Sequence, residues 1–116
     1  MNNSFIENFS FEKRLYESIR IKNIYPNRIP VIVEKNKDSD IINIRKNKYL
    51  VPQDLTISQF LYVIRKRIKL TDEQSIFIFI GNKIPCPHSL IKEIYIKEKH
   101  TDGFLYVKYS GENVFG

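Results

Sequence analysis

Three places in the chain carry residue types that could do chemistry. Cys86 and His88, separated by one proline in the run PCPH, are the only thiol and base close together. A histidine beside a cysteine can lower the thiol pKa and activate it, but no partner acid accompanies this pair, and an incidental proline-rich turn is the simpler reading. A metal site fails on numbers: zinc takes about four ligands, and Cys86, His88 and His100 are the only soft donors. Arg65, Lys66, Arg67 and Lys69 with Tyr62 form the second place, a basic run with a nearby aromatic of the kind that meets nucleic acid. The same run suits the last turn of a helix, whose dipole favours cations, and no nucleic-acid motif accompanies it. The third place is the end, SGENVFG at 110–116. A glycine carboxylate has no side chain beside it, so Gly116 could enter a narrow activating site and be joined to an amine through its backbone alone. An ordinary frayed terminus is the alternative. With no constellation of acid, base and nucleophile and no Gly-rich phosphate loop, we expect a binding protein without a cofactor and not an enzyme.

The elements that must position these residues follow from spacing and punctuation. Ser10 ahead of Phe11, Leu15 and Ile19 predicts a capped helix from about Phe11, which must stop before Tyr25-Pro26. Phe5, Ile6 and Phe9 suggest a short helical turn before it. Arg28 to Lys35 alternates Ile29, Val31 and Val33 against Pro30 and Ile32, so this strand is apolar on both faces and both need covering. Pro30 cannot donate to a ladder, which puts it at an edge or an irregularity. Asn36 to Asp40 reads as a turn and Lys48 to Pro52 as a second strand. Thr56-Ile-Ser-Gln59 is a capping box opening a helix with Ile57, Phe60, Leu61, Ile64 and Ile68 at helical spacing. Ile76 to Ile80 reads as a buried strand closed by Gly81-Asn82, Leu90 to Tyr95 as a short helix after Ser89, and Phe104 to Tyr109 as the last strand. A mixed sheet on one central helix is the natural arrangement, an α+β fold.

Composition narrows the class. At 116 residues, 42% hydrophobic and 28% charged, the chain fits one folded domain, and the single cysteine forbids an internal disulfide and suits a reducing compartment. The net charge of +6 favours acidic partners. The N-terminus lacks the pattern of a signal peptide, and the longest apolar run is far too short to cross a bilayer, so membrane attachment would have to be covalent or borrowed. Alanine and tryptophan are absent while Ile, Lys and Asn abound, a hint of an A/T-rich genome.

Two apolar sets are large for so small a chain: Leu50, Pro30, Ile32 and Ile21 on one inferred face, and Tyr49, Val51, Pro52 and Leu55 leading to Phe60 and Val63. Each could be plain core, since a strand covered on both faces looks the same. Alternatively the sets are pockets flanking an open strand edge at Lys46 to Leu50, where an extended peptide adds as a strand and drops alternate side chains into them. The cations Arg28, Lys46, Lys48 and Arg67 would then suit an acidic peptide.

FEKR at 11–14, YPNRIPVIVEK at 25–35, KYLVPQDLTISQFLYVIRKRI at 48–68 and FLYVKYS at 104–110, with the terminal glycine, closely resemble the GABARAP branch of the autophagy ubiquitin-like modifiers over nearly the whole chain. The resemblance implies a β-grasp (ubiquitin-like) mixed sheet on a central helix with extra N-terminal helices, divided as an N-terminal helical extension at 1–25, a ubiquitin-like domain at 26–110 and a conjugation tail at 111–116. It implies a pocket for a partner's aromatic residue formed by Glu17, Ile21, Pro30, Ile32, Lys48, Leu50 and Phe104. A second pocket, for an aliphatic residue, would comprise Tyr49, Val51, Pro52, Leu55, Phe60, Val63 and Ile64. Arg28, Lys46 and Arg67 would be polar contacts, and Phe77 and Phe79 a surface met by processing and conjugating enzymes.

By the same resemblance Gly116 is the conjugation residue, activated by an ATP-dependent enzyme, passed as a thioester to a conjugating enzyme and joined to phosphatidylethanolamine. The other implied partners are receptors and adaptors with acidic aromatic-x-x-aliphatic motifs, and a membrane once lipidated, but not nucleic acid. The implied location is the cytoplasm and the autophagosome or vesicle membrane, or, in parasites with a relict plastid, the outer membrane of that organelle. An unconjugated cytosolic peptide adaptor of the same fold is the alternative function. The sequence departs from the family pattern at Val63, where leucine is usual, at Ile24, where lysine is common, and through 81–98. No residue follows Gly116, whereas many members carry a short tail that a protease removes.

Overall fold

Val31, Ile32 and Val33 are successive residues of one strand, and all three are fully buried. Neighbouring side chains on a strand point to opposite faces, so this strand must be covered on both. In the computed structural model, which describes residues 4–112, it is β1 (Arg28–Lys35), and it lies inside the sheet. The elements run α1 (Phe5–Asn8), α2 (Phe11–Ile24), β1, β2 (Lys48–Pro52), α3 (Ile57–Arg67), β3 (Phe77–Phe79), α4 (Ile91–Glu98) and β4 (Leu105–Ser110). Strand order across the sheet is β2-β1-β4-β3, with β1 and β4 parallel and the outer pairs antiparallel.

The sheet therefore carries two cores. On one face Ile29, Val31, Val33, Tyr49, Val51, Leu105, Val107 and Tyr109 pack with Ile57, Phe60 and Ile64 of α3 and Ile91 of α4. On the other, Ile32 and Phe104 pack with Ile21 of α2 and Phe5 of α1. Periodicity alone suggests two layers; α1 and α2 add a third over the second face, as the β-grasp resemblance implies. The ends of α3 are set locally. Thr56 Oγ1 accepts from the Gln59 amide at 3.1 Å, and Gln59 Oε1 accepts from the Thr56 amide at 2.8 Å. Arg65 donates to the carbonyls of Gln74 and Thr71, tying the helix end to the loop beyond it.

Helix α2 also starts and stops where predicted, with Ser10 Oγ accepting from the Lys13 amide. Its buried face is not the one that announced it. Phe11 and Ile19, two of the three residues that predict the helix, are 42% and 51% exposed, while Arg14, Ser18 and Ile21 are buried. The reason lies in the turn before β4. Asp102, fully buried, accepts from Arg14 Nη1 and from the Tyr106 hydroxyl, each at 2.5 Å, and from the Phe104 amide at 2.9 Å. Ser18 Oγ donates to the Asp102 carbonyl at 2.6 Å. Burial, then the bond to Asp102, pushes the Tyr106 hydroxyl well above its ordinary pKa. Gly103 lets the helix approach, because a Cβ there would stand 2.2 Å from Ser18 Oγ and its φ of +90° suits only glycine.

Pro30 is not on an edge strand. The Val33 amide donates to the Asn47 carbonyl and the Gln53 amide to the Asn27 carbonyl, so odd-numbered residues of β1 bond toward β2. The missing donor of Pro30 faces the β4 side, one residue before pairing with β4 begins at Val31 and Leu105. It is an irregularity at the strand's start, where no ladder bond is lost.

Candidate functional site

Register makes β2 an edge with two exposed rungs. Because residues 47 and 53 bond toward β1, Tyr49 and Val51 do so too, and Lys48 and Leu50 direct their N–H and C=O groups away from the sheet. Arg28, from the neighbouring strand, donates to the Leu50 carbonyl at 2.9 Å. One rung is thus held by a guanidinium.

The side chains of β2 part to the two faces. Lys48 and Leu50 lie on the α2 side with Pro30 and Ile32, and this face gathers the whole set expected for an aromatic residue. Ile21, Ile32 and Phe104 are buried together, Leu50 packs on them, and Lys48 Nζ reaches Glu17 at 2.7 Å, tying β2 to α2. Arg20 also bonds Glu17, and the two cations hold the Glu17 carboxyl down at about 2. Beside this ion pair opens a cavity of about 480 Å³ lined by Phe5, Phe9, Arg14, Tyr16, Glu17 and Lys48 among others. The hydrophobic floor is closed, since Ile21, Ile32 and Phe104 are at most 2% exposed. Phe5 is the residue that sequence reasoning missed: its ring meets Phe104 edge-on at 5.2 Å and its amide donates to Glu34 at 2.7 Å. The cluster of Phe5, Ile6 and Phe9 was the available signal, read only as a helical turn.

The second expected set divides. Tyr49, Val51, Phe60 and Ile64 are buried core, with the Tyr49 and Phe60 rings edge-on at 6.1 Å, while Leu55 and Val63 are half-buried and Pro52 is exposed. Burial pushes the Tyr49 hydroxyl up and the positive charge of Arg67 opposes it. That hydroxyl is buried and has no hydrogen-bond partner among the described residues. Lys46 Nζ sits 5.6 Å above the Tyr49 ring, and Arg28, Lys46 and Arg67 are all exposed.

Other residues fall apart from this edge. Phe77 and Phe79 belong to β3, the opposite edge of the sheet; Phe77 is half-buried and Phe79 buried. Cys86 and His88 are exposed in a turn whose Pro87 and Ser89 carbonyls accept from the first amides of α3, at Ser58 and Ile57. Among the described residues no group of three or more His, Cys, Asp or Glu could hold a metal, and no helix is long and apolar enough to cross a membrane. Gly116 lies outside the described residues.

Comparison with known proteins agrees with this geometry. The family model described as "Autophagy protein Atg8 ubiquitin like" matches residues 13–116. Autophagy-related protein 8 of Schizosaccharomyces pombe is 59% identical over 116 residues, covering 100% of this chain and 96% of the relative. Autophagy-related protein 8e of Arabidopsis thaliana is 58% identical over 106 residues, 91% of this chain and 87% of the relative. Among solved structures, Trypanosoma brucei ATG8 superposes with a TM-score of 0.91 at 38% identity, covering 100% of both chains. Plasmodium falciparum Atg8, solved in complex with a Plasmodium falciparum Atg3 peptide, gives 0.89 at 33%, covering 97% of this chain and 98% of that one. By sequence, sheet and N-terminal helices alike, the chain belongs to the Atg8 family, which consists of ubiquitin-like autophagy proteins and not of enzymes.

Proposed function

We propose that this protein is a modifier joined through Gly116 to phosphatidylethanolamine, which then displays the β2 edge to partner peptides from the membrane surface. The observation that supports the docking half is the pair of outward rungs at Lys48 and Leu50 between two apolar sets. An extended peptide pairs with those rungs, setting an aromatic side chain toward Ile21, Ile32, Leu50 and Phe104 and an aliphatic one, two spacers on, toward Leu55 and Val63. The peptide then runs in the direction of β2. Arg28, Lys46 and Arg67 favour acidic partners, and the Glu17–Lys48 pair must yield for an aromatic ring to reach the closed floor.

In the conjugation half, the Gly116 carboxylate attacks the α-phosphate of ATP and releases pyrophosphate. An enzyme thiolate displaces AMP to form a thioester, and the lipid amine displaces the thiol, losing one proton as the amide forms. The two acyl chains supply buried CH₂ groups at about 0.8 kcal/mol each, enough for stable attachment. Activating and conjugating enzymes are the required partners, and the Atg3 peptide seated on the Plasmodium relative supports the latter. Phe77, which pairs with Ser110 at the end of β4, belongs to the surface offered to them. The working places are the cytoplasm and the autophagosomal or vesicle membrane, with a relict plastid membrane the variant location.

Reconstituted conjugation with aminophospholipid vesicles, read by intact mass, tests the first half. A phosphatidylethanolamine adduct on the native chain and none after deletion of Gly116 is expected. No adduct with active enzymes would leave an unconjugated adaptor as the function. Calorimetry with an aromatic-x-x-aliphatic peptide tests the second: Leu50→Ala should weaken binding roughly tenfold or more, as loss of a leucine-sized contact implies.

A further inference from the structure

The segment that carries Gly116 leaves the sheet at the end of β4, and the loop after β1 is bonded to the place where it leaves. The Asn36 amide donates to the Tyr109 carbonyl at 2.8 Å, and the Tyr109 hydroxyl donates to the Ile42 carbonyl at 2.8 Å. Between these two ties lies Ser39, only 4% exposed, whose Oγ accepts from the Gly111 amide at 3.1 Å. Ser39 is itself held in place. Its amide donates to the Asn36 carbonyl at 3.0 Å, its carbonyl accepts from Lys35 Nζ at 2.5 Å, and its Oγ also accepts from the Ile41 amide at 3.3 Å. On the far side of β4, Ser110 pairs with Phe77, and the Ser110 hydroxyl donates to the Glu112 carbonyl. The chain neighbours of Ser39, Asp38 and Asp40, are exposed, and nothing at the β2 edge uses it. Its buried hydroxyl serves the base of the tail.

We infer that Ser39 is a positioning residue for conjugation: by holding the Gly111 amide it fixes where the tail begins, and so where the Gly116 carboxylate is presented. The inference rests on the reading of Gly116 above, and Ser39 acts through Gly111 without touching the reacting atoms. With Gly111 held, four residues lie beyond Glu112, a reach of roughly 14 Å at about 3.6 Å per residue. With that bond broken the last fixed residue is Ser110, with six residues beyond it and a reach of roughly 22 Å. The volume open to the carboxylate grows with the cube of the reach, about threefold, and its concentration at the reacting centre of a docked enzyme falls in proportion. One neutral hydrogen bond biases the tail without locking it, so an enzyme can still draw the chain out.

The test is the kinetics of reconstituted conjugation with aminophospholipid vesicles, the full chain being the varied substrate. Ser39→Ala should lower kcat about threefold at unchanged KM, because the enzyme docks on the folded domain and only the placing of the tail is affected. This variant also loses the bond to Ile41, so Gly111→Pro is the second. It removes the amide donor, leaves the bonds within the loop alone, and should give the same loss. Gly111→Ala keeps the donor, and its Cβ would stand 3.5 Å from Ile41, an ordinary contact, so it should conjugate at the native rate. Ser39→Ala combined with Gly111→Pro should be no slower than either alone, since both break one bond. A raised KM with kcat unchanged would mean a loosened fold and overturns the positioning role. Native or faster turnover in Ser39→Ala and Gly111→Pro overturns it too, as does a loss that multiplies in the combined variant. In all of these the native chain still carries the lipid and the reading of Gly116 stands. No adduct on the native chain with active enzymes overturns that reading, and the role of Ser39 with it.

Discussion

Helices α2 and α3 cover opposite faces of one sheet, and both begin at a hydroxyl cap, yet they hold on by different means. Helix α3 buries the stripe its sequence advertises, Ile57, Phe60 and Ile64. Helix α2 turns Phe11 and Ile19 outward and buries Arg14, Ser18 and Ile21. The α3 face is held by apolar packing, which is strong and indifferent to which residue meets which. The α2 face is held by a few directed bonds to Asp102 and by a small cluster around Phe104, which makes it specific in geometry and dependent on each partner. The peptide edge lies between the two, with the site for an aromatic residue on the directed side and the site for an aliphatic one on the apolar side.

The comparison can be broken most severely at its two anchors. Phe60→Ala should cost about 3–5 kcal/mol in urea unfolding, the usual loss for a buried phenylalanine. Arg14→Met should cost roughly 3 kcal/mol or more, because it strands the buried carboxylate of Asp102 without its cation. The two should differ in character. Phe60→Ala should lower the stability of the whole domain, while Arg14→Met should in addition speed hydrogen exchange of the α2 amides relative to those of α3. Equal protection of both helices in Arg14→Met would show that the α2 face does not depend on the ion pair.

A smaller effect concerns the Glu17 bridge. Its carboxyl titrates near 2 in the folded chain, below the 4.5 of an unperturbed glutamate. The sign follows: its contribution to stability is complete above about 4.5 and is lost as pH falls through about 2. The gap in thermal midpoint between native protein and Glu17→Gln should hold from pH 7 to pH 5 and close by pH 2; a gap that closes between 7 and 5 would refute it. For a half-exposed pair the gap itself should be small. Smallest of all, Ile19→Ser should change stability by no more than about 0.5 kcal/mol despite removing an apolar residue from the stripe that predicts the helix. A loss of 2 kcal/mol or more by urea unfolding would mean that Ile19 is packed after all.

Much of this arrangement was legible because its causes are local. Ser10, Thr56 with Gln59, Pro26, Pro52 and Gly81-Asn82 mark ends and turns through their own neighbours, and the strands from Arg28 and Lys48 begin and end as their patterns predict. The doubly apolar character of β1 likewise showed, from a run of eight residues, that both faces would be covered. The inward face of α2, the place of Phe5 and the closure of the aromatic site were not legible in that way. Arg14 meets a carboxylate 88 residues away, Phe5 meets Glu34 across 29, and Lys48 meets Glu17 across 31. Helical spacing reports which side of a helix is apolar, not which side a distant turn will claim. That choice fell to Asp102, whose burial demanded a cation and so turned α2 until Arg14 faced it, leaving Phe11 and Ile19 to the solvent.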